Sequence, residues 1–341
     1  MIRYFQKRFA GSINPLLCAA AVLLVLLLSA GCTTTRIIDP DAVSSSAVAT
    51  EKRGDRDDDP APEYPGKEDG ELFLWEFSKD GRTLHILGSI HLASDMIYPL
   101  PEQILEAFSV SDILVEEVDI VQADMQEAQE FISSHSTLPD DRVLSEYLGQ
   151  QEEEMLLEIL ERYGIPYSTV ERLQPWVVSN TLSMLSSFEV DMKPEYGLDL
   201  YFAREAQSTG KEVYALETVT QQLEILNSVG LQAQAYSLNE TIREFARLDE
   251  YMYRVLETWS RGDARAMEEI LLEGMTSNEN GRDYYRRLIV ERNEDWTEQL
   301  ITLFEREPES RIFAVVGSAH LLGPHSLVRL LMEEGFQARR Y

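Results

Sequence analysis

Two short segments of this sequence repeat the same unit, Gly-Ser-x-His. One is "GSIH" at residues 88–91 and the other is "GSAH" at residues 317–320, in a chain of 341 residues that has only five histidines. Each unit follows an apolar run typical of a buried strand. Glycine lets the backbone turn sharply where a strand stops, so each unit delivers its histidine, His91 or His320, to a strand end.

Acidic residues follow two other strand-like segments. The segment "ILVEEVD" carries Glu116 and Glu117, and "KEVYALE" ends in Glu217. Because side chains alternate along a strand, only one of the paired glutamates points into a shared site. Asp119 lies on the same side of the strand as Glu117 and is a reserve candidate.

Two histidines and a carboxylate suffice to hold a divalent ion such as Zn, Mn or Co and leave positions open for water and substrate. The ion would acidify water or polarise a carbonyl group. The pattern therefore indicates a candidate metal site formed by His91, His320 and one of the strand-end carboxylates. We expect both histidines to lie at a solvent-exposed rim, outside the hydrophobic core.

The remaining polar candidates have less distinctive surroundings. His85 lies inside a strand, His135 lies in a polar helical stretch, and His325 stands near a helix start, where solvent exposure is expected. The segment "ERNEDW" places Arg292 and Asn293 on a long helix. Arg292 either binds a substrate carboxylate or oxyanion, or forms an ordinary salt bridge on the helix surface.

The elements that must position these residues alternate between strands and helices. A hairpin is predicted around "SKDGR", and helical patterns dominate residues 122–190 and 220–308. The prediction is an α/β fold over residues 71–341, with a mixed, largely parallel central sheet, flanking helices and large helical insertions. In such a sheet, ligands gather beyond the carboxyl ends of the strands, where residues distant in sequence meet.

The N-terminal segment predicts export and membrane anchoring. Residues 1–31 have a basic start and an apolar run too short for a spanning helix, and "LLLSAGC" resembles the lipobox of bacterial lipoproteins, with Ser29 where Leu is commonest. We expect lipidation at Cys32, residues 32–70 as a disordered acidic tether, and an outer membrane location facing the periplasm. An ordinary secretory signal and an uncleaved anchor are the alternatives.

Charge and cysteine content restrict the partners. The formal net charge of −30 makes nucleic acid a poor partner. Apart from Cys18 in the signal segment, Cys32 is the only cysteine, so no disulfide holds the exported protein together. We expect the protein to attach to the membrane through the lipid at Cys32.

Several segments together resemble the TraB/GumN family, which is related to the TIKI proteases. They are the two Gly-x-x-His units, "LVEEVD", "YGLDLYFAREAQSTGKEVYALETVTQQLEIL" and "ERNEDW". The resemblance implies an α/β fold, an active site of two histidines and a strand-end glutamate, a divalent metal as in the TIKI branch, and peptide or protein substrates. Carried over by position, the triad is His91, Glu117 and His320, and other recurrent positions are Glu217, Gln222, Arg292 and Asn293.

Two other functions use the same residues. A non-catalytic protein that holds haem or iron, in the manner of ChaN, needs only one axial histidine and an apolar slot. An esterase-like hydrolase needs a histidine as base and no metal. The residues by themselves leave both alternatives open.

Overall fold

A computed structural model of the protein describes residues 71–123, 125–187, 192–276 and 278–341. The predicted signal peptide, the lipidation at Cys32 and the acidic tether lie outside the described residues. Within the described ranges, no helix is both long enough and apolar enough to cross a membrane.

A six-stranded sheet forms the centre of the fold. The strands are β1 (Leu74–Lys79), β2 (Arg82–Ser89), β3 (Ile113–Glu116), β4 (Glu212–Ala215), β5 (Ile312–Gly317) and β6 (Gln337–Arg340). Their order across the sheet is β4-β3-β5-β2-β1-β6. Strands β4, β3, β5 and β2 pair in parallel, whereas β1 is antiparallel to both β2 and β6. The predicted mixed, largely parallel sheet is therefore confirmed.

The predicted hairpin joins β1 to β2. Its two loop residues, Asp80 and Gly81, have φ angles of 53° and 75°. A two-residue turn with positive φ at both positions matches the twist of the strands it connects, which explains why Asp-Gly occupies this place.

Helices cover the sheet and form the insertions between its strands. They are α1 (Glu102–Ser109), α2 (Met125–His135), α3 (Gln150–Arg162), α4 (Pro175–Ser187), α5 (Leu198–Thr209), α6 (Val219–Ser228), α7 (Leu231–Glu244), α8 (Leu248–Arg261), α9 (Ala264–Thr276), α10 (Glu279–Tyr285), α11 (Glu291–Arg306) and α12 (Leu327–Glu333). A π-helical segment, Arg286–Val290, leads directly into α11. Such segments are frequent at functional sites, and here Arg292 lies two residues after the end of the segment.

The insertions have a hydrophobic core of their own. Apolar side chains of α2, α3, α4, α6 and α7 pack together in a cluster separate from the core of the sheet. On α3, Leu156, Ile159 and Leu160 are buried in this second cluster, as their helical spacing predicts. The large helical insertions therefore stabilise themselves by burial of their own apolar faces.

The parallel strands place four chain segments at one edge of the sheet. Because β2, β3, β4 and β5 run in the same direction, their carboxyl ends meet there. The residues that follow these ends include both Gly-Ser-x-His histidines, Glu117 and Glu217. The topology thus brings together the residues singled out from the sequence.

Candidate active site

The side chains of His91, Glu117 and His320 converge around Gly317. A Cβ atom placed on Gly317 would lie 3.2 Å from Glu117 Oε1, 3.5 Å from His91 Nε2 and 3.7 Å from His320 Cδ2. The absence of a side chain at Gly317 therefore leaves the space that the three groups face. The two histidines, 229 residues apart in their motifs, belong to a single site.

His91 is the accessible histidine of this site. Its side chain is 52% exposed, and its Nδ1 lies 2.9 Å from Oδ2 of Asp199 on α5. The adjacent Asp199 carboxylate raises the pKa of His91, although burial opposes the shift. With Nδ1 bound to Asp199, the Nε2 atom is the one that faces the space beside Gly317.

Glu117 is a buried carboxylate whose two oxygens both accept hydrogen bonds. Oε1 accepts from the backbone N–H of Gly317 at 2.7 Å, and Oε2 accepts from Arg292 at 2.9 Å and from Gln222 at 3.2 Å. Burial alone would raise the pKa of Glu117. The positive charge of Arg292, with the neighbouring histidines and the Gly317 N–H, outweighs burial and holds this pKa well below its usual range.

Arg292 connects three of the predicted residues from α11. Nε and Nη2 donate to Glu217, Nη2 also donates to Glu117, and Nη1 lies 3.2 Å from His320 Nε2. Nη1 additionally donates to the backbone carbonyl of Leu288 at 3.1 Å. All five N–H groups of the guanidinium thus face protein acceptors. Arg292 is buried, with 12% of its side chain exposed, so the predicted alternative of a surface salt bridge is wrong.

His320 differs from His91 in its surroundings. It is 4% exposed, so the expectation that both histidines lie at a solvent-exposed rim is wrong for His320. Its Nδ1 lies 2.6 Å from Asn293 Oδ1, and its ring packs on Trp296 with centroids 4.4 Å apart. Burial and the Arg292 charge lower the pKa of His320 to about 3, which keeps the imidazole neutral.

Asn293 and Glu217 support the site from behind. The Asn293 side-chain amide donates to the backbone carbonyls of His320 and His325, which leaves its Oδ1 to accept from His320. Glu217 accepts from Arg292 and, at 3.1 Å, from the indole N–H of Trp296. Asn293 thus contacts the site through His320, and Glu217 contacts it through Arg292.

The neighbouring acidic candidates lie elsewhere. Glu116 pairs with Val315 across β3 and β5, is 2% exposed, and has no hydrogen-bond partner for either oxygen among the described residues. Burial raises its pKa to about 9, so the side chain is a neutral acid at pH 7. Asp119 accepts the backbone N–H groups of Val121 and Gln122, so it stabilises the turn after β3.

The predicted metal ligands do not fit a divalent ion in this arrangement. His320 Nε2, the lone pair that a metal would need, already faces the cationic guanidinium of Arg292. Both oxygens of Glu117 also accept N–H groups. Across the described part of the chain, no group of three or more His, Cys, Asp or Glu side chains is arranged to hold a metal ion. Of the three, only His91, oriented by a carboxylate and open at Nε2, has the usual environment of a ligand.

Two residues of the site, Ser89 and Asp199, are not among those predicted from the sequence. Ser89 donates to Asp199 Oδ1 at 2.8 Å, and Asp199 in turn holds His91. A sequence signal for Asp199 did exist: it stands in the first turn of a helix directly after a glycine, in the segment "YGLD". Acidic residues are common in the first turn of a helix because the helix dipole stabilises them. The position of Asp199 therefore gives no separate indication that it contacts His91.

Comparisons with known proteins identify relatives of this chain. The model of the TraB/PrgY/gumN family matches residues 73–340. The chain is 24% identical to YbaP of Escherichia coli (strain K12) over 73% of this chain and 88% of that protein. It is 26% identical to Metalloprotease TIKI2 of Danio rerio over 49% of this chain and 36% of that protein, and 22% identical to Metalloprotease TIKI1 of Homo sapiens over 78% and 61%.

No solved structure matches the chain. The TIKI proteins are distant relatives, and the chain spans less than two thirds of their length. They support a relationship to hydrolases and proteases at the level of the family. Because the family model covers nearly the whole described region, this chain belongs to the TraB/PrgY/gumN family.

Proposed function

We propose that this protein is a hydrolase that cleaves peptide bonds, with His91 as the residue that transfers protons. The observation that carries the proposal is the contrast between the two histidines. His91 is half exposed and oriented by a carboxylate, whereas His320 is buried and has both ring nitrogens engaged. A group that contacts substrate must be accessible, and His91 satisfies this condition.

The proposed reaction requires His91 to accept a proton from water and later to donate it to the leaving group. Because Asp199 raises the pKa of His91 to about 9, the neutral form that accepts a proton is a minor species at pH 7 and predominates only above pH 9. This neutral form takes a proton at Nε2 from a water molecule, and the water oxygen bonds to the peptide carbonyl carbon while the carbonyl electrons move to oxygen. When the tetrahedral intermediate collapses, the carbon–nitrogen bond breaks and His91 returns the proton to the leaving nitrogen. Asp199 stabilises the intervening imidazolium, as a carboxylate does in hydrolytic triads. The products are a carboxylic acid and an amine.

A divalent metal ion is the second candidate component of the site, which the name metalloprotease of the TIKI relatives favours. The ion would be Mn, Co or Zn, held by His91, Glu117 and His320, and it would acidify water. Its binding requires the Arg292 guanidinium to leave His320 Nε2. The guanidinium contact therefore favours the metal-free reaction, and no step above passes through the ion.

The proposal includes the location of the enzyme. Lipidation at Cys32 would tether the catalytic domain to a bacterial outer membrane on its periplasmic side, where peptides or exported proteins are the available substrates.

The experiment is peptide hydrolysis by the purified full-length chain in mild detergent, measured by mass spectrometry on a mixed peptide library. Each reaction is run with a chelator and with added Mn, Co or Zn. We expect cleavage by the wild type and a loss of roughly 10²- to 10⁴-fold in His91→Ala. The matched control is His135→Ala, because His135 is exposed on α2, away from the sheet edge.

Four outcomes discriminate between the candidates. Cleavage in the presence of the chelator supports the metal-free reaction, and cleavage only with an added ion supports the metal. Full activity in His91→Ala contradicts the role of His91. An inactive wild type that develops an absorption band on addition of haem would overturn the hydrolase in favour of a haem-binding protein.

A further inference from the structure

The serines of the two Gly-Ser-x-His units make different contacts. The hydroxyl of Ser89 donates to Asp199 Oδ1 at 2.8 Å, whereas the hydroxyl of Ser318 donates to the backbone carbonyl of Ser89 at 2.9 Å. Both serines are buried, with 3% and 4% of their surface exposed. The two serines thus form a series of hydrogen bonds that leads from Ser318, through Ser89, to Asp199.

The two carboxylate oxygens of Asp199 contact different residues, Ser89 and His91. Oδ1 accepts from the serine hydroxyl and Oδ2 lies 2.9 Å from His91 Nδ1. A carboxylate held at one oxygen cannot rotate freely about its χ2 angle, which is otherwise a broad torsion. The Ser89 hydroxyl therefore determines the direction in which the other oxygen faces His91.

The backbone around these hydrogen bonds is also constrained. The amide of Leu198, at the start of α5, donates to the carbonyl of Ile90 at 3.1 Å. A side chain at Gly197 would overlap the carbonyl oxygen of His91, so helix and strand end are in direct contact. The indole N–H of Trp259 donates to the Gly88 carbonyl at 2.8 Å. The first turn of α5, which carries Asp199, is thus docked on the segment that carries His91.

At the Nδ1 atom of the second histidine, an amide oxygen stands where the first unit has a carboxylate. His320 Nδ1 is held by the amide oxygen of Asn293, and its Nε2 faces the positive charge of Arg292. An amide oxygen fixes a tautomer but carries no charge with which to stabilise an imidazolium. One sequence unit therefore has two structural outcomes, set by the helix that packs behind each histidine.

We infer that Ser89 is a positioning residue, which orients Asp199 so that His91 presents Nε2 to the substrate, and that Ser318 supports Ser89 through its carbonyl. This inference rests on the proposed function, because it assigns the proton transfer to His91 alone. It also explains why serine follows glycine in both units.

The test compares Ser89→Ala with Ser318→Ala and a matched control, Ser111→Ala, in the full-length chain. Ser111 is a buried serine whose hydroxyl donates to a backbone carbonyl, that of Phe108 at 2.7 Å, outside the chain of contacts to His91. We expect Ser89→Ala to lower kcat on the order of 10- to 100-fold, as misplacement of a reacting group does, with KM little changed. Ser318→Ala should lower kcat less, and Ser111→Ala should leave it unchanged.

A second measurement is independent of activity. Nitrogen-15 NMR of histidine-labelled protein reports which nitrogen of His91 carries the proton, with the signal assigned by loss in His91→Gln. Because the pKa of His91 is raised to about 9, the spectra are recorded above that pH, where neutral His91 of the wild type should carry its proton on Nδ1, facing Asp199. In Ser89→Ala and in Asp199→Asn, a mixture of tautomers is expected while the fold, checked by circular dichroism, is retained.

The outcomes separate this inference from the proposed function. A folded Ser89→Ala protein with wild-type kcat and an unchanged His91 tautomer would overturn the positioning role. If the wild type cleaves no peptide but the tautomer changes in Ser89→Ala, the positioning stands and the hydrolase proposal fails.

Discussion

Arg292 binds Glu217 through two nitrogen atoms, Nε at 2.9 Å and Nη2 at 3.0 Å, with only 12% and 6% of the two side chains exposed. The same guanidinium also neutralises Glu117. Removing one partner of a buried charged network is costly, because the remaining charges stay buried without compensation.

Arg292→Ala should therefore lower the free energy of unfolding by about 3–5 kcal/mol, the range typical of a broken buried ion pair. Urea denaturation followed by circular dichroism measures it. Arg265→Ala is the control, since Arg265 and Glu269 form an ion pair whose side chains are 91% and 62% exposed, and it should change stability little. Equal midpoints for the two variants would contradict the structural role of Arg292.

The two site histidines should respond differently to truncation. His91→Ala should destabilise the fold less than His320→Ala, because the His91 ring is half exposed, although the change also removes the ion-pair partner of Asp199. His320→Ala should destabilise the fold by about 1–3 kcal/mol, since it leaves buried polar partners unsatisfied and removes the packing on Trp296. Thermal unfolding of the two variants measures this difference in stability. Identical melting temperatures would contradict the burial of His320.

Gly197→Ala should disrupt the contact between α5 and the His91 segment, because the added methyl would overlap a backbone carbonyl that cannot move aside cheaply. We expect a loss of stability of about 1–3 kcal/mol and reduced activity. Gly230→Ala is a matched control: it is also a helix N-cap without a side-chain cap, but a Cβ there meets only Asp283, at 3.9 Å. A Gly197→Ala protein as stable as Gly230→Ala would argue against the tight docking.

His85 should make stability depend on pH. Burial lowers the pKa of His85, although Glu76, 3.4 Å away, partly offsets this, and Arg339 reinforces the lowering. The folded state therefore binds the proton less readily than the unfolded chain, whose histidines titrate near 6.5. The stability is fully present above that pH and is lost as the pH falls toward the lower folded-state value.

The measurement is the melting temperature at pH 7.5 and 5.5 for the wild type and His85→Gln. The fall in melting temperature between the two pH values should be smaller in the variant. His135→Gln, an exposed histidine, should behave like the wild type. An unchanged fall in His85→Gln would show that other groups dominate the acid sensitivity.

Cys32→Ala tests the anchor, which lies outside the described residues. If "LLLSAGC" is a lipobox, the variant should accumulate as an unlipidated precursor of higher mass, because the modified cysteine is lost. Mass spectrometry of the membrane fraction measures the attached lipid. A mature wild-type protein that begins at a residue other than Cys32 would refute the prediction.

Local patterns in the sequence predict a mixed, largely parallel sheet and the edge at which the site forms. Alternation in "ILVEEVD" predicts that only one of Glu116 and Glu117 points into the site; in the structure this residue is Glu117, and Glu116 is buried elsewhere. Parallel strands bring their carboxyl ends to one edge whatever lies between them, so local patterns sufficed to predict that His91 and His320 would meet.

The chemical role open to each histidine depends on contacts that form only in the folded protein. The two units read almost identically, yet His91 is oriented by a carboxylate 108 residues away, whereas His320 is enclosed by Asn293 and Arg292 on α11. The charge state, exposure and free nitrogen of a histidine depend on groups that packing brings to it through space. Spacing along the chain carries no information about such partners, which is why the division of roles and the contact of Arg292 with the predicted metal ligands emerge only from the fold.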